Sequence, residues 1–498
     1  MQRPLMLAVL SISLLLSALD TTVLNVALPN IGSHLNASPH QLQWVVDAYV
    51  LVYGSLLLSA GRFADRFGRR RIMIAGLVLF AGASGFAAFS HSLPVLIAMR
   101  AVMGIAGATL TPTTLAILRD QYRDPRERST AIAIWSAALG LGVAIGPLVG
   151  GVLLAHFWWG SAFLINIPVA AIAIVGALVF VPESSDPGAP PLDLGGMCLS
   201  LGGLALTLGA VIEAPQAGWT STQTLAGLVL GGLVLLTFAY HETRSSHPML
   251  ELNLYRRRDF AITSLVSLTS FFAVFAVLYV ATLYLQLVSG YSPLAAGIRI
   301  LPAAATIIVS APLSDLVSRR IGSKTTAALG MTMLAFGSAW LAFTPTSSGY
   351  GYTVVALAPI GVGFGFALAP IVDRVLGSLP TERAAVGSAA NSTAQQVGGA
   401  LGVAIVGSLL ATVADHRLAS LPGHRVTMTT ARAVSAHLDP SYRSGLLSNL
   451  RDAFTAGMHP ALAVTASVCL IGVVAILAYL PPNFTVVTED EDAEASSE

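Results

Sequence analysis

Charged side chains are scarce in this sequence. Asp, Glu, Lys and Arg make up 10% of its 498 residues, whereas hydrophobic residues make up 55%. A soluble domain contains about 25% charged residues. This deficit excludes an ordinary soluble domain and predicts a chain that folds in lipid. The formal net charge of +1 also gives no strong field that would attract nucleic acid.

Residues that hold metals or carry covalent chemistry are equally few. Both cysteines, Cys198 and Cys469, lie in apolar runs, and the ten histidines fall in or near predicted loops without ligand spacing. These positions predict neither a disulfide framework nor a metal site. No GxxxxGK[ST] loop points to ATP, and no nucleophile or paired-carboxylate constellation points to an enzyme. We therefore expect no enzyme, no metal and no cofactor.

Long apolar runs dominate what is present. A helix that crosses a bilayer core needs about 20 apolar residues, and fourteen such runs occur, the first at about 5–29 and the last at about 459–480. Arginines concentrate in alternate loops, around Arg69, Arg128 and Arg257 for example. This distribution predicts that both termini are cytoplasmic.

The sequence also repeats a motif. GRFADRFGRRR (61–71) ends the second run and APLSDLVSRRIGSK (311–324) ends the tenth, and in each an Asp precedes an Arg pair by four residues. Two related halves that meet at a midplane site are typical of secondary transporters. We predict an N-terminal six-helix bundle (1–181), a linker with two additional transmembrane helices (182–259), a C-terminal six-helix bundle (260–480) with a long outer loop (414–458), and an acidic cytoplasmic tail (481–498).

One carboxylate lies inside the first apolar run. Asp20 is the only charged residue between Leu5 and Leu28, and a charged Asp at a helix centre costs about 2.5–3.5 kcal/mol on insertion scales. Arg100 in the fourth run and Asp47 at the start of the second are expected at a similar depth. We predict that these three side chains form one polar cluster. The structural alternative for Asp20 is a polar anchor that holds helices together.

Such a cluster suits proton coupling. Burial favours the neutral form of a carboxyl group, whereas a nearby arginine favours the ionised form. We therefore expect Asp20 to alternate between the two forms and Arg100 to tune it. Asp47 is expected to share the proton, to contact substrate, or to be a polar residue at the helix mouth. Asp373 in the twelfth run is expected either to receive a cationic substrate or to be an interfacial polar residue.

Candidate substrate contacts are aromatic and amide side chains, because these can re-pack around varied ligands. Besides Asp20, Asp47 and Asp373, they are Trp44, Tyr49, Trp135, Tyr279, Tyr284, Gln286, Asn391 and Gln395. Each of these residues, taken alone, is more often a packing residue than a contact.

Small residues mark the predicted gates. Gly142, Gly146 and Gly150 form one stripe of a helix, which lets a neighbouring helix approach closely, and Pro147 allows a bend. The predicted gating residues are those of this stripe, Gly142, Gly146, Pro147 and Gly150, and those of the motif at 61–71, Gly61, Asp65, Gly68, Arg69 and Arg70.

Several segments resemble a known family. LDTTVLNVALP in the first run, GRFADRFGRRR after the second, Arg100 in LIAMRAVMGIAGA and GLGVAIGPLVGG in the fifth are similar to motifs of the major facilitator superfamily. Within it they resemble the 14-span drug:proton antiporters, from Asp20 to about Leu480. The resemblance implies an all-α membrane protein with the major facilitator fold, in which 14 transmembrane helices form two six-helix bundles plus two inserted helices.

The same resemblance implies a function. A member of this family exports lipophilic, often cationic, compounds across the cytoplasmic membrane in exchange for protons, as a monomer surrounded by membrane lipids. Asp65, Arg69 and Arg70 would form a latch between helices that stabilises the outward-facing state. Two other functions remain open for the sequence: a lipid or lipoconjugate translocator of the same fold, and a non-transporting membrane receptor or scaffold.

Overall fold

The computed structural model describes residues 2–185, 193–246, 248, 250, 252–345, 349–377, 384–419 and 440–480. Nearly all of them are helical. The helices are α1 (Gln2–Leu35), α2 (Pro39–Phe67), α3 (Arg69–Ala88), α4 (Leu93–Gln121), α5 (Pro125–His156), α6 (Ser161–Leu164), α7 (Asn166–Phe180), α8 (Leu194–Ala217), α9 (Thr222–Arg244), α10 (Arg258–Leu283), α11 (Pro293–Ile321), α12 (Ser323–Ala342), α13 (Tyr350–Gly377), α14 (Ala384–Ala419) and α15 (Pro440–Tyr479). A 3₁₀ turn (Leu252–Arg256) precedes α10, and a π-helical turn (Tyr284–Val288) follows it.

The described residues do not confirm the number of spans that the sequence predicts. Within the described residues, 12 helices are long and apolar enough to cross a membrane, and up to 13 if the bent α2 counts as one span. The expected fourteen are therefore not confirmed. Helix α2 bends by 58° between its two parts, and Ile145–His156 in the second half of α5 is a shorter apolar helix.

The surface of the helix bundle is apolar, which is the reverse of a soluble protein. Phe86, Ile172, Val179, Leu236 and Val474 are all large hydrophobic residues with more than half of their surface exposed. Such a surface is stable against lipid and not against water. The most buried spans are α1 and α10, each with 83% of its apolar window inside the protein, so these two helices lie at the centre of the fold.

Spans joined by short connections alternate in direction, and α6 and α7 together form one span, Ser161–Phe180. We call the side at which α1 begins and α2 ends the arginine-rich face, since Arg69, Arg119 and Arg319 lie at its helix ends. The other side is called the opposite face.

The predicted long loop 414–458 is wrong in extent. Helix α14 continues to Ala419 and α15 begins at Pro440, because both helices extend beyond the apolar runs from which the loop was predicted.

Helix α8 packs against both α2 and α14, and so bridges the two halves of the chain. Trp44 of α2 donates its indole N–H to Glu213 Oε1 at 3.3 Å. Ser408 of α14 donates to the Val211 carbonyl oxygen at 2.8 Å, and Trp219 donates to Thr412 Oγ1 at 3.2 Å. Helix α8 and the turn after it are therefore attached to both halves near the opposite face.

The start of α8 is fixed by a charged cap. The Asp193 carboxylate accepts the backbone N–H of Gly196 at 2.8 Å and lies 2.8 Å from the His241 ring nitrogen of α9. Burial raises the pKa of Asp193, but the hydrogen bonds from Gly196 and His241 outweigh it and hold the pKa below its ordinary value. A depressed pKa stabilises the folded state above the unfolded pKa of about 3.9, and this contribution is lost as the pH falls through the folded value.

We therefore expect Asp193→Asn to lower thermal stability at neutral pH. Asparagine is an equally good N-cap, so the variant removes the charge and keeps the cap. The difference in melting temperature between wild type and Asp193→Asn, measured on purified protein in detergent, should shrink as the pH falls below about 4. A difference that is the same at every pH would contradict a role for the charge.

Candidate transport site

Asp20 and Arg100 form an ion pair in the interior of the protein. Arg100 Nη1 lies 2.6 Å from Asp20 Oδ2, and the two side chains are 0% and 1% exposed. Asp20 lies in the middle of α1 and Arg100 in the first half of α4. A buried pair is stable only when further hydrogen bonds satisfy its remaining polar atoms.

Helix α2 supplies further contacts for the Arg100 guanidinium group. Arg100 Nε donates to the Val45 carbonyl oxygen at 2.9 Å. The guanidinium carbon lies 4.5 Å from the centre of the Tyr49 ring, a distance at which the ring attracts a cation. Arg100 Nη2 has no hydrogen-bond partner in the described part of the chain, so the two N–H donors of this nitrogen are left over.

Helix α7 supplies the second hydrogen bond to the Asp20 carboxylate. The Asn166 amide nitrogen donates to Asp20 Oδ1 at 2.7 Å and to Ser84 Oγ at 3.1 Å. Sequence reasoning did not single out either residue. FLINIP (163–168) resembles a family segment, but nothing in its pattern says that Asn166 points at Asp20. Asn166 reaches Asp20 and Ser84 because α7 packs against both α1 and α3.

Asp47 does not join this cluster. It is fully buried in α2, yet neither of its carboxylate oxygens has a hydrogen-bond partner among the described residues. It interacts electrostatically with Tyr279 of α10. The prediction of one cluster of three is therefore wrong for Asp47. Arg100 reaches the backbone of the same helix at Val45 and not the Asp47 side chain, because a two-residue step along a helix changes the face.

The remaining predicted contacts are dispersed. Trp135 donates its indole N–H to Thr114 Oγ1 at 3.1 Å, the buried Tyr284 stacks at an angle on Phe454, and Asn391 is buried with an unpartnered Oδ1. Gln395 is half-buried in α14. The side chain of Asp373 lies outside the described residues. The described residues also contain no group of three or more His, Cys, Asp or Glu placed to hold a metal ion.

The glycine stripe of α5 faces α1. A Cβ atom on Gly142 would lie 2.8 Å from Ala18 Cβ, and one on Gly150 would lie 3.1 Å from the Val23 carbonyl oxygen. Thr22 of α1 occupies the space beside Gly146 and donates to the Gly142 carbonyl oxygen at 3.3 Å. The stripe therefore lets the helix that carries Asp20 lie directly against α5.

The two halves also meet at glycines. A Cβ on Gly151 of α5 would lie 2.6 Å from Leu294 Cα of α11, and one on Gly297 would overlap the Pro147 carbonyl oxygen. Gln286 in the π-helical turn donates to the Val26 carbonyl oxygen of α1 at 3.0 Å. These contacts lie toward the opposite face, where α1 and α5 end and α11 begins.

The motif at 61–71 forms a network on the arginine-rich face. Arg69 Nε lies 2.6 Å from Asp65 Oδ1, and its Nη1 bonds to Asp120 at the end of α4. The backbone N–H of Arg70 donates to Glu183 Oε1 at 3.1 Å, and Arg70 Nη1 donates to the Val181 carbonyl oxygen at 3.2 Å. Sequence reasoning missed Asp120 and Glu183, which are distant in the chain. The network joins α2, α3, α4 and the end of α7, all in the first half.

Gly61 and Gly68 occupy two tight positions of this network. A Cβ on Gly61 would lie 3.3 Å from Pro112 Cβ. Gly68, between α2 and α3, has φ 105° and ψ 121°, a conformation that side chains rarely adopt. A Cβ there would also lie 2.9 Å from Glu183 Oε1. Gly322 makes the corresponding turn between α11 and α12 with φ 84°, but has open space around it.

This pair of glycines separates backbone strain from steric clash. We expect Gly322→Ala to lower the free energy of unfolding by about 1–3 kcal/mol through strain alone. Gly68→Ala should cost more, because the new methyl group also displaces Glu183 from Arg70. Thermal unfolding of the two purified variants measures the difference. Equal losses would show that the Glu183 contact contributes nothing.

An apolar exterior, two central helices and an ion pair buried between spans define a multi-pass membrane protein of the transporter class. A family model described as Major Facilitator Superfamily matches residues 10–403. The chain therefore belongs to the major facilitator superfamily.

Several relatives of the chain are named for drug resistance or antibiotic export. The chain is 34% identical to the multidrug resistance protein Stp of Mycobacterium tuberculosis over 393 residues, which cover 79% of this chain and 73% of Stp. It is 30% identical to the tetracenomycin C resistance and export protein of Streptomyces glaucescens, with 94% and 90% covered. It is 32% identical to the multidrug efflux pump LfrA of Mycolicibacterium smegmatis, with 94% and 95% covered.

A solved structure shows the same fold. The chain superimposes on a bacterial homologue of the human lysosomal transporter Spinster, in an inward-facing and unoccupied conformation, with a TM-score of 0.67 and 17% identity. The alignment covers 98% of this chain and 99% of that protein. At this identity the likeness is one of fold.

Proposed function

We propose that this chain is a proton-coupled antiporter that exports hydrophobic drugs or antibiotics, cationic ones included, across the cytoplasmic membrane by alternating access. The relatives named for multidrug or antibiotic resistance support the substrate class. The observation that carries proton coupling is the buried pair of Asp20 and Arg100. An intramembrane carboxylate is costly, and in transporters such groups form proton relays.

In this proposal the pair is the exchange site. When Asp20 takes up a proton, its attraction to Arg100 falls and the neutral carboxyl group no longer needs the guanidinium group. When Asp20 releases the proton, it again pairs with Arg100 or attracts a cationic substrate. The leftover Nη2 of Arg100 supports a movable guanidinium group. Asp47, buried and without a hydrogen bond, is a second proposed proton or cation site, and Asp373 a third at the inner end of α13.

Alternating access needs one side closed and the other able to open. The contacts of Gly151, Gly297 and Gln286 with the other half lie toward the opposite face. The positive residues support a cytoplasmic position of the arginine-rich face. We infer that the structure is closed on the outer side, with both termini in the cytoplasm. In this outer-closed structure the network of Asp65, Arg69 and Arg70 stays within the first half among the described residues, and in the proposal these residues latch the inner side only when the outward-facing state forms. The chain works as a monomer.

The test is transport in inverted membrane vesicles that contain the protein. An imposed proton gradient, acidic inside, should drive a fluorescent lipophilic cation into the vesicles, and collapse of the gradient by a protonophore should release it. Accumulation of a fluorescent phospholipid analogue in place of the dye would support a lipid translocator. Binding of the dye without any response to the gradient would support a receptor or scaffold.

A further inference from the structure

Asn166 holds the free oxygen of the buried carboxylate. Asn166 is fully buried at the first position of α7. Its amide nitrogen donates two hydrogen bonds, one to Asp20 Oδ1 at 2.7 Å and one to Ser84 Oγ at 3.1 Å. Its own Oδ1 is buried and has no hydrogen-bond partner among the described residues. A buried amide oxygen without a donor is costly, so its presence calls for an explanation.

The two oxygens of Asp20 are held from two helices. Arg100 of α4 donates to Oδ2 and Asn166 of α7 donates to Oδ1. An ionised carboxylate only accepts hydrogen bonds, whereas a protonated one also donates an O–H. Arginine has no acceptor to offer that proton, but an amide has both a donor and an acceptor. A half-turn of the Asn166 amide places its unpartnered oxygen where its nitrogen now lies.

We propose that Asn166 is a positioning residue that serves both protonation states of Asp20. In the ionised state the amide donates to the carboxylate, as the structure shows. In the protonated state the turned amide accepts the carboxyl O–H, so its oxygen gains a hydrogen bond while its nitrogen leaves Asp20 Oδ1 and Ser84 Oγ. The proposal rests on the proposed function only for its role in the export cycle, because the contact itself does not depend on transport.

Among the described residues, Arg100 and Asn166 are the two side chains that hydrogen-bond to Asp20. The titratable groups that face Asp20 in the described structure are Arg100 from α4 and Tyr49 from α2. Helix α5 packs against α1 through glycines, and no residue of α6, α10 or α11 forms an ion pair with Asp20 within the described ranges. Asn166 is therefore the neutral group through which the Asp20 environment can adapt to a proton.

The experiment titrates Asp20 directly and needs no transport. Infrared spectra of the purified protein, recorded across pH, contain the C=O stretching band of each protonated carboxyl group, and the band absent from Asp20→Asn belongs to Asp20. We expect Asn166→Leu, an apolar replacement of similar size, to move the midpoint of that band to higher pH by about one unit. The direction follows because a hydrogen bond to the ionised form is about twice as strong as one to the neutral form. One unit is about a ten-fold change in the proton equilibrium.

Asn25→Leu is the matched control. Asn25 is also a buried asparagine with an unpartnered Oδ1, it lies on the same helix as Asp20, and it makes no bond to Asp20 in the described structure. Its midpoint should equal that of wild type. If Asn166→Leu does not fold, Asn166→Ser removes the amide while it keeps a small polar group, and should shift the midpoint in the same direction.

Transport gives the second readout. If Asn166 only sets the protonation of Asp20, the dye exchange that Asn166→Leu loses should return when the assay is run at about one pH unit higher. A purely structural defect would not be rescued. The proposal is overturned if the midpoint of Asn166→Leu equals that of wild type, or if no band in the wild type depends on Asp20. A shifted midpoint in a protein that never responds to a gradient would uphold it and reject the antiport function.

Discussion

Asp20→Asn is expected to abolish gradient-driven dye export, leaving only the level seen in vesicles without the protein. The neutral amide keeps the size of the side chain but cannot bind and release a proton. The measurement is dye movement in inverted vesicles under an imposed proton gradient, at equal amounts of inserted protein. Asp315→Asn is the matched control, since Asp315 is an exposed carboxylate at the end of α11 whose one ion pair within the described residues is with Arg319. It should export the dye as wild type does.

The same variant leaves Arg100 as a buried charge without a partner. Loss of one member of a buried pair costs about 3–5 kcal/mol, so the melting temperature of Asp20→Asn should also fall. A double variant, Asp20→Asn with Arg100→Gln, removes the lone charge and should recover part of the stability but none of the coupling. Recovery of gradient-driven export by the double variant would show that Asp20 is a structural anchor.

Gly297→Ala is expected to reduce export strongly by opening the contact between the halves. The new methyl group would overlap the Pro147 carbonyl oxygen of α5. This neighbour is backbone and cannot rotate away, so α5 and α11 must separate, and such overpacking costs about 1–3 kcal/mol. A cost of this size shifts a balance between two conformations by about 5- to 150-fold. Spin labels at the exposed residues Ser33 and Ser292, in a protein with Cys198 replaced by alanine, report the separation at the opposite face.

The distance between the two labels should increase in Gly297→Ala. Gly82→Ala serves as the matched control, because Gly82 is also helical and has open space where the Cβ would lie. That variant should leave both the distance and export unchanged. An unchanged distance in Gly297→Ala would mean that the contact between α5 and α11 does not limit opening.

The repeated motif shows how far a sequence pattern extends into structure. Asp65 with Arg69 and Asp315 with Arg319 have the same spacing, and both bond as expected of residues four apart. The position of the glycine turn relative to the arginine differs between the two motifs, however. Gly68 precedes Arg69, so this arginine starts α3 and reaches Asp120, whereas Arg319 lies in the last turn of α11 before Gly322. The second pair stays on one exposed helix, where an ion pair contributes about 0–1 kcal/mol.

The buried polar residues also show which contacts the sequence predicts and which it does not. A lone carboxylate in an apolar run and a lone arginine in another require a partner, so the pairing of Asp20 with Arg100 follows from the cost of burying charge. The place of Asp47 did not follow. Depth along a helix can be counted from the sequence at about 1.5 Å per residue. The direction in which a side chain points depends on how its helix is rotated against its neighbours.

The sequence by itself determined that this chain lies in a membrane and that its two halves carry related motifs, and it predicted that a few buried charges couple its transport to protons. These properties follow from composition and spacing, because lipid tolerates apolar helices and penalises each charge. Only the tertiary structure decided that Asn166 holds Asp20, that Asp120 and Glu183 complete the network of Arg69 and Arg70, and that α8 bridges both halves. Those contacts join residues far apart in the chain, and helix rotation and packing, which no local pattern encodes, bring them together.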